Sequence, residues 1–232
     1  MGKAPDLGVM LIDDRALERE AMVSTQLQAR DIRDPRVLAA MRSVPRHLFA
    51  PEQHQNLAYG DHPLPLGPGR TLSQPYIVAF MAQALGLNPT EKVLEVGSGC
   101  GYACAVLSGV AGQVFGIELD LQLAEASILR LGQLGYLNIQ IQRGDGALGW
   151  PEQGPFDAVI LSCAAPRLPE RLWEQLRPGG RALFPQESGG GRQELVLVHK
   201  TAAGPLTSRL LGVAFVPLLS GRGRGHDGGS GL

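Results

Sequence analysis

The spacing of apolar and polar residues changes several times along this chain, and each change marks an element. Around Glu95, the residues Val93, Leu94 and Val96 form a short apolar run that reads as a buried strand. The run breaks into Gly97, Gly99 and Gly101, and an apolar helix is expected over residues 102–110. A second run, Val114, Phe115, Gly116 and Ile117, ends in Glu118. Beyond it the pattern gives a helix over 121–134, a strand over 138–142, a turn at 143–146, a strand over 156–161, a helix over 169–176, a turn at 178–180 and a strand over 181–184. Strands at 194–200 and 210–216 are joined by a link short enough for an antiparallel hairpin. Strands and helices alternating in this way belong to a doubly wound α/β sheet.

The first third of the chain reads differently. Leu17, Ala21, Met22, Leu27 and Ala29 give a helical pattern over 16–30, and Asp34-Pro35 opens a second helix through 41. Val44-Pro45-Arg46 ends it. Residues 49–70 hold Pro51, Pro63, Pro65, Pro68, Gly60, Gly67 and Gly69, so an irregular segment is expected, and long irregular segments in compact domains are usually functional. Ser73 then stands as the N-cap of an apolar helix over 76–85, with Pro75 in its first turn.

At 232 residues the chain suits one domain with a sizeable core. Lys plus Arg total 21 against 22 for Asp plus Glu, so no overall positive charge draws it to nucleic acid. No stretch approaches the roughly 18 apolar residues of a membrane span. The first twenty residues carry acids and lack the apolar core of a signal peptide, so a cytoplasmic protein is expected. Cys100, Cys104 and Cys163 form no C-x-x-C pair; Cys100 and Cys104, with no histidine nearby, read as packing residues, and no metal is expected.

A strand that ends in alternating glycines and restarts as a helix brings bare backbone and a helix N-terminus to a ligand, the layout of a nucleotide-type cofactor site. Glu118, closing the next strand, is placed to accept hydrogen bonds from both hydroxyls of a ribose. Asp145 follows the third core strand at the edge where an adenine would lie, with a turn-forming aspartate as the plain alternative. A dinucleotide fingerprint needs a small residue at position 102, and this chain has Tyr102 there. The spacing of Glu95, Gly97, Gly99 and Gly101 instead resembles motif I of the S-adenosylmethionine-dependent methyltransferases, which makes S-adenosyl-L-methionine the expected cofactor.

Methyl transfer from a sulfonium needs alignment and a nucleophile in the right charge state. Enzymes that methylate the amines of bases or glutamine often carry D/N-P-P-Y/F after the fourth strand, where this chain reads Leu161-Ser162-Cys163-Ala164-Ala165-Pro166. A carboxylate, with a reference pKa of about 4, is already ionised at pH 7 and needs only a donor to orient it. Ser73 is the candidate donor.

Val44-Pro45-Arg46, Tyr59-Gly60-Asp61, Pro63-Leu64-Pro65-Leu66-Gly67, Gly69-Arg70-Thr71-Leu72-Ser73-Gln74-Pro75, the glycine loop, Gly144-Asp145-Gly146 and Val216-Pro217-Leu218 together resemble the protein-L-isoaspartate O-methyltransferase family. The resemblance runs from about residue 17 to 218. It implies a Rossmann-like methyltransferase fold, a seven-stranded, mostly parallel sheet with helices on both faces. The implied activity is methylation of the α-carboxylate of L-isoaspartyl residues in damaged proteins and peptides, the ester then closing to a succinimide whose hydrolysis returns some aspartate. By the same resemblance Ser73 is the active-site serine, Leu72, Ser73 and Val216 hold substrate, and Gly97, Ser98, Gly99, Gly101, Glu118, Leu119, Asp145 and Gly146 hold the cofactor.

The expected organisation is a flexible leader at 1–15, one domain at 16–219 and a disordered Gly-rich tail at 220–232. Within the domain, 16–75 is the substrate-side segment and 76–219 the cofactor-binding core with its closing hairpin. A monomer is expected, with isoaspartyl proteins and peptides as partners and neither nucleic acid nor membrane. Cys100, Ala103 and Ser162-Cys163 depart from the residues more usual in the family, all on the cofactor side. Other readings are a carboxyl methyltransferase with one dedicated peptide target, a nucleic-acid or small-molecule methyltransferase, and a non-catalytic S-adenosylmethionine-binding module. The intact glycine loop, Glu118, Asp145 and Ser73 weigh against the last.

Overall fold

The computed structural model describes residues 15–219. The expected leader, apart from Arg15, and the expected tail lie outside the described residues. Helix α1 (Ala16–Met22) continues as a π-helical turn, Val23–Gln28, and α2 (Pro35–Ser43) follows with Asp34 accepting the Arg36 N–H at 2.9 Å as its cap. The segment expected to be irregular is ordered. It forms 3-10 turns at Arg46–Phe49 and Glu52–Leu57 and then a small antiparallel hairpin, β1 (Leu64–Gly67) and β2 (Arg70–Leu72). Helix α3 (Pro75–Leu85) starts one residue later than a Ser73 cap requires: Gln74 holds the cap position, and its amide donates instead to the Asp61 carbonyl at 3.0 Å.

The core then alternates as β3 (Lys92–Val96), α4 (Tyr102–Ser108), β4 (Gln113–Glu118), α5 (Leu121–Gln133), β5 (Ile139–Arg143), β6 (Phe156–Leu161), α6 (Glu170–Gln175), β7 (Leu176–Ser188), β8 (Arg192–Thr201) and β9 (Gly204–Val213). The seven strands β3 to β9 form one sheet in the order β5-β4-β3-β6-β7-β8-β9, parallel as far as β7 and antiparallel for the last two. Two expected boundaries need correction. The turn at 178–180 is absorbed into β7 as a register irregularity, because Gly180 runs so close to its neighbours that a Cβ would sit 2.9 Å from the Arg177 carbonyl oxygen. The last strand covers 204–213 and not 210–216. Thr201 tightens that hairpin by accepting the Ala203 N–H and donating to the Gly204 carbonyl.

Buried residues alternate along the strands and feed two apolar layers. Val93, Ala158, Ile160 and Leu183 pack with the helices α1 to α5, whereas Leu94, Val159, Leu161 and Phe184 pack against Leu172 of α6 on the other face. Each such fully buried Val, Leu, Ile or Phe contributes about 1.5–3 kcal/mol. Among the described residues no helix is long and apolar enough to cross a membrane. The chain proceeds outward from β3 to β5 and then returns across β3 to β6. That reversal leaves a crevice at the C-terminal ends of β3, β4 and β6, where open α/β sheets take ligands.

Candidate active site

After Val96 the backbone turns through Gly97, Gly99 and Gly101 at φ of +77°, +54° and +85°, a region glycine enters without strain. The turn is tied to the next strand, since the N–H groups of Gly97 and Ser98 both donate to the Ile117 carbonyl at 2.8 and 3.1 Å. At the end of β4, one oxygen of Glu118 accepts the Gly99 N–H at 2.8 Å and the other accepts the Asp120 N–H at 2.9 Å. Both oxygens are thereby fixed, and each keeps a lone pair for a further donor. Past β5, a Cβ on Gly146 would lie 2.3 Å from Cγ1 of Val96, so this loop closes on β3 only as glycine.

These strand ends enclose a pocket of about 310 Å3, a size suited to a small molecule. Gly97, Gly99, Glu118, Leu119, Gly146 and Val216 line it. Residues 215–219 form its outer wall: the Ala164 N–H donates to the Val216 carbonyl at 2.8 Å, and the Leu218 N–H donates to the Ala164 carbonyl at 2.7 Å. On the other side of that wall lies an open cleft of about 980 Å3 bordered by Ser73, Gln74, Ile77, Arg192, Gln193 and Phe215. A narrow space of about 40 Å3 separates Leu72 and Ser73 from Ser98 of the glycine loop. Thr71 borders all three spaces, and Phe215 borders the two larger ones.

Beneath the glycine loop, Glu95 is buried and accepts hydrogen bonds from Ser162 Oγ at 2.6 Å and Cys104 Sγ at 2.9 Å. Burial pushes its carboxyl up to about 7; the two donors oppose that rise and the charge of Glu118 adds to it. The Cys163 thiol at the pocket wall is pushed up to about 12 by burial and the two carboxylates, so it stays a neutral thiol and no nucleophile.

The structure brings Gly97, Gly99, Glu118, Leu119 and Gly146 to one pocket, with Ser98 one layer behind at the narrow space. Ser73 borders the cleft and the narrow space, and its hydroxyl has no hydrogen-bond partner among the described residues. Leu72 is buried at the same narrow space. Two residues stand outside the pocket lining. Gly101 is the N-cap of α4, where a Cβ would meet Leu131 Cδ1 at 3.0 Å, and Asp145 turns its Oδ1 to the Ala147 N–H at 2.9 Å. Val216, expected to hold substrate, lies in the lining of the smaller pocket. Arg70 and Asp120 were not legible as site residues. They meet as an ion pair at 2.7 Å on the pocket lining, joining segments 50 residues apart with nothing local to announce it.

Residues 17–223 match the protein-L-isoaspartate(D-aspartate) O-methyltransferase (PCMT) family. The chain belongs to this family. It is 56% identical over 204 residues to protein-L-isoaspartate O-methyltransferase 2 of Anaeromyxobacter sp. (strain Fw109-5), covering 88% of this chain and 84% of that one. It is 51% identical over 213 residues to the protein-L-isoaspartate O-methyltransferase of Methylorubrum extorquens (strain PA1), covering 91% and 92%. Among solved structures, a protein-L-isoaspartate O-methyltransferase superposes with a TM-score of 0.79 at 28% identity, covering 86% of this chain and 65% of that longer one. A putative protein-L-isoaspartate O-methyltransferase from Plasmodium falciparum, solved in complex with S-adenosyl-L-homocysteine, superposes with a TM-score of 0.75 at 26% identity, covering 87% and 98%. The family's pocket in this chain suits a nucleoside ligand on its own chemistry. Backbone approaches through glycine, Glu118 offers two fixed acceptors, and Ser98 Oγ is buried without a partner.

Proposed function

We propose that this protein transfers a methyl group from S-adenosyl-L-methionine to the α-carboxylate of L-isoaspartyl residues in proteins and peptides, opening their repair through a succinimide. The observation that carries the reading is the position of residues 71–73. This short run borders the cofactor pocket, the narrow space and the open cleft in succession, so the place where a donor and an extended peptide can meet lies beside Ser73.

S-adenosylmethionine, when bound, supplies an electrophilic methyl on its sulfonium sulfur. Gly97, Gly99, Leu119 and Gly146 would hold it, with Glu118 accepting from its ribose hydroxyls and Ser98 offering a hydroxyl that the fold leaves unused. Asp145 shapes the loop that carries Gly146. On the peptide side, Ser73 Oγ–H donates to one oxygen of the substrate carboxylate and leaves the other to attack. The carboxylate, with a reference pKa of about 4, is an anion at pH 7, so no side chain has to take a proton. Alignment is the residues' main task, and Leu72 and Phe215 shape the walls that impose it.

The test is transfer of labelled methyl to a matched pair of peptides, one with isoaspartate and one with normal aspartate at the same position. Base-labile label on the isoaspartyl peptide alone is the expected result, and label on neither, with cofactor binding intact, would refute the reading. In the same assay Ser73→Ala should lose about a hundredfold in kcat, the scale of one removed transition-state donor. Its stability should change by less than about 0.5 kcal/mol, because Ser73 caps no helix.

A further inference from the structure

Strand β9 ends at Val213, paired in the ladder with Gln193 of β8. Beyond it the backbone leaves the sheet, and its polar groups need new partners. Gln193 supplies them: its Oε1 accepts the Phe215 N–H at 2.6 Å, and its Nε2 donates to the Phe215 carbonyl at 3.0 Å. A side-chain amide thus stands in for a peptide group and adds one rung to the ladder after the strand has stopped. Phe215 borders both the small pocket and the open cleft, as Thr71 does on the opposite segment. The segment then crosses to Ala164, whose backbone holds Val216 and Leu218. The wall between the two spaces is hung from two anchors, and the one at Gln193 is made by a side chain.

We propose that Gln193 is a positioning residue for both binding steps, fixing the wall that the cofactor pocket and the peptide cleft share. The inference rests on the methyltransferase reading above. With the Gln193 anchor removed, Phe215 is free to shift relative to both spaces, so affinity for cofactor and peptide falls together. The reacting atoms, which Gln193 does not touch, keep their chemistry, and kcat changes little.

The test compares full-length Gln193→Ala with Gln83→Ala. Gln83 makes the same kind of clamp, its Oε1 accepting the N–H groups of Arg33 and Asp34 at 2.6 and 2.9 Å, yet it lines neither space. The readouts are the Kd for S-adenosylhomocysteine by calorimetry, KM and kcat with an isoaspartyl peptide, and Tm. Gln193→Ala should raise Kd and peptide KM about tenfold each, with kcat within about threefold, while Gln83→Ala lowers Tm and leaves both affinities within about twofold. Gln193→Glu keeps the acceptor and loses the donor, so its rise falls between, and it carries the test if the alanine variant does not fold. An unchanged Kd in the Gln193 variants, or a rise matched by Gln83→Ala, overturns the proposal. The Kd is read without a methyl acceptor. A wild-type protein that binds S-adenosylhomocysteine but methylates no isoaspartyl peptide would therefore defeat the proposed function alone, and the Gln193 comparison would still decide its own question.

Discussion

Glu91, the residue before β3, and Glu95, near the end of that strand, stand four residues apart, both buried at 6% and 1% exposure, and they have opposite surroundings. Glu91 receives Arg181 through both of its terminal nitrogens, at 2.9 and 2.7 Å, together with Arg177 at 3.2 Å and the Asn88 N–H at 2.8 Å. Those hydrogen bonds and charges, Arg181 first, hold its carboxyl below the usual range against the opposing effect of burial. Glu95 meets neutral donors, the Ser162 hydroxyl and Cys104, and burial pushes it up to about 7. A paired charge thus precedes β3 where the chain enters the sheet, and the strand carries a weakly compensated one near where it leaves. The first end fastens β3 to the sheet; the second lies under the glycine loop, where the fold gives up stability beside its ligand site.

The sharpest break of this contrast is at Glu91. Glu91→Gln leaves Arg181, whose side chain is only 10% exposed, without a counter-charge, and removing one partner of a buried pair costs about 3–5 kcal/mol. Urea unfolding at pH 7 should read that loss, with kcat per folded molecule unchanged because Glu91 lines none of the three spaces. A loss under about 1 kcal/mol would mean that the arginines are solvated well enough to do without it. The pH sign follows from the lowered pKa: the wild-type contribution is present above the ordinary carboxylate range and is lost as pH falls through the lowered value.

Glu95 has the opposite sign. Its folded carboxyl binds a proton more tightly than the unfolded one, so its contribution to stability is fullest below pH 4.5 and is lost as pH rises to about 7. A rise of that size corresponds to roughly 3 kcal/mol. Glu95→Gln should abolish this slope, and above pH 7 the variant should be more stable than the wild type. Parallel pH profiles for the two proteins would show that Ser162 and Cys104 compensate the charge fully.

The same division governs what the sequence revealed. Val93, Leu94, Val159 and Leu161 announce their strands because both faces are buried and the runs are apolar but for Glu95 and Asp157. Gly97, Gly99 and Gly101 announce a turn because their backbone angles require glycine. The hairpin β1–β2 stayed hidden, since its strands of 4 and 3 residues are crowded with proline and glycine and take their shape from tertiary contacts. Ser73 looked like a cap because a hydroxyl just ahead of an apolar helix commonly plays that part, and only the start of α3 at Pro75 removes it from the cap position. Gln193 carried no signal at all, because a glutamine on a strand is ordinary until its partner is known to be Phe215.

The ion pair Arg70–Asp120 sets the lower limit of the comparison. It joins β2 to the loop after Glu118 at 2.7 Å, both residues lining the smaller pocket, but the side chains are 42% and 24% exposed where Arg181 and Glu91 are 10% and 8%. Solvent weakens such a pair to about 0.2–1 kcal/mol, too little to hold the fold and enough to bias how tightly the hairpin sits over a bound nucleoside. Arg70→Gln should therefore leave Tm nearly unchanged and weaken S-adenosylhomocysteine by about two- to fivefold at low salt. Because the pair is exposed, the difference between wild type and variant should close as ionic strength rises toward 1 M, where the Debye length is about 3 Å. Titrations at two salt concentrations decide it. A deficit that persists at high salt would mean that Arg70 acts by filling space against the ligand, and an equal Kd at low salt would mean that the hairpin is held by its apolar contacts, Leu66 over Gly99 among them, without help from the charge.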